Sequence, residues 1–181
     1  MEVLKDFQFH DRVPDEIVSR YTQIIPEELV YLWKEYGLGT FLRGYLKIIN
    51  PALFQDLLNE SYFRGEISIP IFATGMADII TWEENKYLQL VRFRRGNIHV
   101  ISTRFKYFIN DLLDEEYCTE HLDWTQYLEA TQKNGELAYD ECYGYVPLLG
   151  LGGNETVANL QKSKLIEHIA IITAFMGPVR L

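Results

Sequence analysis

The sequence predicts an α+β fold: N-terminal helices, a central antiparallel β-sheet, and C-terminal helices. Three observations carry that reading. Apolar residues recur at helical spacing toward both ends. The middle, from residue 69 to residue 103, changes to short β-type runs and alternation. Glycine, proline and asparagine sit at the joints. At 181 residues the length fits one domain, or one domain with a small appendage. Such a chain buries roughly 70% of its unfolded surface and needs no disulfide or metal to hold a core.

Pro14 opens the first helix, where a missing amide donor costs nothing, and Ile17, Val18 and Tyr21 share a face. Pro26, Glu27 and Glu28 start a second that Gly37 ends, with Leu29, Leu32, Trp33 and Tyr36 as its buried stripe. Gly39 and Gly44 mark a turn, Tyr45 to Ile49 is a short strand, and Asn50-Pro51 begins a helix reaching Leu58. Ile69 to Thr74 and Asp78 to Trp82 are β-runs parted at Gly75. Lys86 to Arg94 and Asn97 to Thr103 alternate about Arg95-Gly96-Asn97, the clearest hairpin in the chain. Arg104 to Leu113 is helical, an acidic stretch follows, and Asp123 or Thr125 caps a helix over Trp124 to Lys133 that Asn134-Gly135 ends. Tyr143 to Gly153 is apolar without a helical stripe. From Gln161 helical spacing returns, with Leu165, His168, Ile169, Ile172 and Phe175 on one face and Gly177-Pro178 at the close.

Seventeen Lys and Arg against 26 Asp and Glu give a formal net charge of −9. That sign disfavours nucleic acid and anionic membranes as partners and suits a basic protein. Cys118 and Cys142 lack metal or redox spacing and read as reduced thiols of a cytoplasmic protein. The N-terminus has no signal-peptide pattern, and the apolar runs are too short to span a bilayer. His10, His99, His121 and His168 have no metal-ligand spacing, no serine has a nucleophile-elbow context, and no cofactor motif is complete. Gly37-Leu38-Gly39 and Gly150-Leu151-Gly152-Gly153 lack the rest of a phosphate loop and read as tight turns. No catalytic or metal residue is therefore assigned, and the chain is not expected to be an enzyme; Asp78, Glu83 and His99 are the one constellation that folding would have to assemble. Asp111, Asp114, Glu115, Glu116, Glu120 and Asp123 crowd one short stretch, and Asp140 and Glu141 follow. Such a run is either a solvated face or a protein-docking patch, while Arg92, Arg94, Arg95, Arg104 and Lys106 concentrate the opposite charge at the hairpin.

Two blocks resemble a known family. Pro26-Glu27-Glu28-Leu29, Trp33, Tyr36-Gly37, Gly39, Phe41, Gly44 and Asn50-Pro51, then Pro70 to Gly75 and Asp78 to Trp82, look like GAD-like domains. Tyr143-Gly144-Tyr145, Leu149 to Gly153, Asn159-Leu160 and Glu167-His168 resemble the small domain paired with it. The combination is similar to immunity proteins that protect bacteria from their own type VI-secreted DNase toxins, and to the wider SUKH superfamily. Where the family usually has Gly, Ala77 precedes Asp78. The resemblance implies a GAD-like domain over residues 1–134 and a small C-terminal domain over 135–181, packed as one unit. It implies a cognate toxin, a nuclease, whose basic site is blocked without catalysis. Asp111, Asp114, Glu115, Glu116, Glu120, Asp123, Asp140, Glu141 and Tyr143 are the expected contacts. A SUKH-like regulator binding a small molecule or peptide near the glycine segments is the competing expectation.

Overall fold

Seven strands form one antiparallel sheet in chain order: β1 (Gln8–Asp11), β2 (Leu38–Phe41), β3 (Leu46–Ile48), β4 (Ser68–Thr74), β5 (Ile79–Glu83), β6 (Tyr87–Arg92) and β7 (Asn97–Ser102). The structure, a computed structural model, describes residues 2–181. Helices α1 (Asp15–Tyr21) and α2 (Glu27–Glu35) join β1 to β2, and α3 (Pro51–Ser61) joins β3 to β4. After β7 come α4 (Phe105–Asp111), α5 (Glu115–Leu122) and α6 (Trp124–Asn134). A separate two-stranded sheet of β8 (Glu141–Tyr145) and β9 (Leu160–Lys164) leads into α7 (Leu165–Met176). The fold class is the α+β arrangement that the sequence predicts.

Both faces of the large sheet are covered. Phe72, Ile80 and Leu90 lie in register and join one buried cluster with Leu29, Leu32, Trp33, Phe105, Phe108 and Tyr127. Their chain neighbours Ala73, Ile79 and Val91, also in register, join a second cluster with Phe54, Leu58, Cys142, Ile169 and Ile172. Successive strand residues point to opposite faces, so a strand covered twice is apolar at every position. That is why the middle of β4 and the start of β5 are apolar on both faces, while the buried polar residues Ser68, Thr74, Thr81 and Glu83 lie outside those stretches. Pro70 sits inside β4 without penalty because β3 pairs only as far as Phe72, and a bulge follows at once.

Several elements differ from the sequence reading. Gly39 belongs to a strand: a Cβ there would collide with the Phe7 ring and the Gln8 carbonyl of β1, so its glycine serves close strand approach. The acidic stretch is largely a helix, α5. Tyr143 to Tyr145 pair with Leu160 to Lys162, so the apolar glycine segment begins as a hairpin strand, and the final helix starts at Leu165, not Gln161. Phe175 faces solvent, away from the stripe of Leu165, His168, Ile169 and Ile172.

Candidate functional site

The acidic residues are set by α5 and the turn before it. Asp114 is the N-cap, its carboxylate accepting from the amides of Glu116 at 2.8 Å and Tyr117 at 3.5 Å. Glu115 and Glu116 occupy the first turn, where carboxylates complement the helix dipole. Cys118 and Leu122, one turn apart, enter the core, and Tyr117 donates from its hydroxyl to the Ile101 carbonyl at 3.0 Å. The outward face is left to Glu115, Glu116, Thr119 and Glu120. Asp111 at the end of α4 is half-buried beside the exposed Leu113, and Tyr107 of α4 is exposed with the Arg104 guanidinium 5.6 Å from its ring centre. The sequence reading missed Tyr107 and Leu113, because helical spacing gave them no distinguishing mark.

Two expected contacts fall elsewhere. Tyr143 is wholly buried and donates from its hydroxyl to the Gly135 carbonyl, so it has no surface to offer. Asp123 is drawn into an arginine cluster between α5 and α6. Its carboxylate pairs with Arg94, with Arg95 at 2.9 Å and with Arg92 at 4.0 Å. Burial pushes its pKa up, but the three guanidiniums together hold it below the usual carboxylate value. Arg94 also binds Asp78 and donates to the Met76 carbonyl at 2.9 Å, while Arg95 reaches Glu155 at 2.5 Å. Arg92, Arg94 and Arg95 are thus neutralised internally. Among the described residues no lysine or arginine pairs with the exposed acids of α5, Glu120 having only His121 at 3.9 Å. Asp140 is exposed and held below the usual range by Lys164, which donates to it at 2.6 Å. Glu141 is half-buried and accepts from the Ala138 amide at 2.9 Å.

No reacting constellation forms from the residues that invited one. Asp78 precedes β5 and Glu83 ends it, and Glu83 is fully enclosed by Arg64, Tyr62 and Thr81 at 2.9, 3.0 and 2.9 Å. His99 stacks on His121 with ring centres 5.4 Å apart, and burial, then Arg92 and His121, lower its pKa. His168 is buried against Gly144, and burial lowers its pKa too. Burial pushes both cysteine thiols up to about 12, which removes nucleophilic thiolate at neutral pH. Among the described residues, no three His, Cys, Asp or Glu side chains converge as a metal site. No described helix is long and apolar enough to cross a membrane.

Residues 1–91 match the GAD-like domain, half of the 181-residue chain. Residues 102–176 match the family described as T6SS immunity protein Tdi1, C-terminal. Both agree with the resemblance carried by the sequence motifs. No curated protein matches the chain. Among solved structures, the crystal structure of Atu4351 from Agrobacterium tumefaciens is similar, with a TM-score of 0.72 at 16% identity over 95% of this chain and 87% of that one. At that identity the likeness shows the fold.

Proposed function

The chain belongs to the GAD-like family and matches a type VI secretion immunity protein over its C-terminal part, and from that premise we propose that it binds and neutralises a cognate toxin, a nuclease, without catalysis. The observation that carries the reading is the uncompensated acidic face. Glu115, Glu116 and Glu120 point outward from a rigid helix, Asp111 and Asp114 border them, and the exposed Tyr107 and Leu113 lie alongside in the chain. Asp140 and Glu141 at the start of β8 contribute less, since Asp140 is paired with Lys164 and Glu141 is half-buried. A nuclease must present a basic groove to DNA, and an acidic helix can occupy it in place of phosphate. Complementary potential also raises association rates by roughly 10- to 1,000-fold at low salt. The toxin acts where the bacterium keeps its DNA, so the inhibitor works in the cytoplasm.

Co-expression with the toxin encoded beside the gene tests this directly. The chain should restore growth and co-purify with the toxin. The triple variant Glu115→Lys, Glu116→Lys, Glu120→Lys should lose both while keeping its circular dichroism spectrum. Its melting temperature should be lowered by only a few degrees, because two lysines then stand in the first turn of α5. Failure of the unmodified chain to protect would sink the reading. A small-molecule or peptide regulator retains one supporting feature. A cleft of about 470 Å³ beside Gly37 is lined by Phe9, Arg12, Tyr36 and Trp33, whose buried indole N–H has no partner among the described residues. That reading requires a ligand that raises the melting temperature.

A further inference from the structure

Helix α7 carries a surface that the fold does not use. Leu165, His168, Ile169 and Ile172 face the core, yet the opposite side is apolar as well. Ile166, Ala170, Ile171, Ala174 and Phe175 are exposed, Ile171 at 48% and Phe175 at 66%. Leu151, also exposed, stands in the neighbouring turn, which meets the helix where Gly150 lies against the Met176 side chain. Glu167 is the one carboxylate of the helix, and His168 is buried with its pKa lowered by burial, hence uncharged at neutral pH. A helix that is apolar all round belongs in an interior. Contiguous apolar surface left in water marks an interface.

Charge selects the occupant. Two copies of a chain with formal net charge −9 repel wherever their acids meet. The outer face of α7 is where they can approach without placing like charges together. The same face offers a basic partner almost nothing to pair with, in contrast to α5. We propose that this face is a homodimer interface, with α7 packed antiparallel on its copy across a two-fold axis.

The helix is self-complementary in that arrangement. With the axis between Ala170 and Ile171, Ile166 of one copy meets Phe175 of the other, Ala170 meets Ile171, and Glu167 meets Ala174. Near the axis a large side chain thus opposes an alanine, and Ile166 and Phe175 close the apolar contact at each end. The alanines permit the close axial approach of about 8–10 Å that packed helices adopt. At 1.5 Å rise per residue the two Glu167 positions stand about 10 Å apart along the axis, about one Debye length at 0.1 M salt. A parallel pairing would instead set the two carboxylates side by side.

Light scattering on the full chain during size exclusion tests the proposal. The mass should approach twice the 21.2 kDa of one chain, and the melting temperature should rise with protein concentration. The double variant Ile171→Asp, Phe175→Asp changes only exposed positions, so it should keep its circular dichroism spectrum while its mass falls to that of one chain. A second variant, Ala170→Cys, should cross-link across the axis under mild oxidation, because the native thiols are buried. An unmodified chain that stays monomeric at all attainable concentrations overturns the inference, as does a double variant that remains dimeric. Protection against the toxin should survive the double variant, since α5 is untouched. A monomeric wild type whose double variant loses protection would give this face to the toxin instead. A monomer that binds neutral phosphatidylcholine vesicles would give it to a lipid surface.

Discussion

Lys47 shows how far a single residue can depart from its sequence appearance. It lies in β3, fully buried, opposite Ala73, and its ammonium donates only to the Ala138 carbonyl at 3.0 Å. Burial lowers its pKa to about 8. The unfolded chain therefore binds this proton more tightly between that value and about 10.4. This lysine's own contribution to stability thus rises with pH across the window, opposite in sign to that of the two buried thiols. Below it, the buried charge costs roughly 3 kcal/mol, against about 1 kcal/mol from the hydrogen bond. Lys47→Met should therefore be about 1–2 kcal/mol more stable than the unmodified chain at pH 7, and this advantage should shrink by about 2 kcal/mol at pH 9.5. Urea unfolding at pH 7 and pH 9.5 measures both, and a less stable variant at pH 7 would show that the tether to Ala138 outweighs the desolvation. Nothing in the alternation of β3 distinguishes this lysine from a solvated one, because the loop that covers it arrives some ninety residues later.

At the scale of elements, the turn between β2 and β3 depends on a distant carboxylate. Leu42 and Arg43 adopt φ of +55° and +53° ahead of Gly44, a conformation that costs a side-chain-bearing residue about 1–2 kcal/mol. Asp6 compensates by accepting from the amides of Leu42 at 3.1 Å and Arg43 at 2.5 Å, and the Tyr127 hydroxyl donates to the Arg43 carbonyl at 2.8 Å. Asp6→Ala should cost about 2 kcal/mol, and Asp6→Asn should recover part of it. Chemical denaturation reads both variants, and an unperturbed alanine variant would show that the turn holds its shape without Asp6. The sequence announces this turn through Gly39 and Gly44 but hides β2 and its pairing with β1, whose own residues are all exposed. The β8–β9 hairpin was hidden for a related reason: Pro147 and Gly150 to Gly153 separate its strands by fourteen residues, too far for turn chemistry to announce a pairing.

Across the whole molecule, Arg94 ties the segment that matches the GAD-like domain to the segment that matches the immunity family. Its guanidinium binds Asp78 in the turn before β5 and Asp123 between α5 and α6, and the first buried cluster likewise draws residues from both segments. Calorimetry should accordingly show one cooperative transition. Arg94→Met leaves Asp78, only 1% exposed, as an uncompensated buried charge and should lower stability by about 3–5 kcal/mol. Because the native pKa of Asp123 is depressed, its contribution is present above the ordinary aspartate range and is lost as pH falls through the native value. Two separate transitions in the melt would break this account. The acids on α5 remain free to act on a partner because the arginines that might have screened them are committed here.

The sequence by itself determined the α+β class, the helices α2, α3 and α6, the central strands, the acidic excess and the family resemblance. Each is written in local spacing, in caps and turns, or in composition, and each survives any arrangement of the distant chain. Only the tertiary structure decided which acids are free. It turned Asp123 into the anchor of three arginines, enclosed Tyr143, left Glu115, Glu116 and Glu120 in water, and turned half of an apolar helix outward. Exposure and ion pairing depend on residues that are neighbours in space and remote in the chain, and a one-dimensional pattern does not contain them.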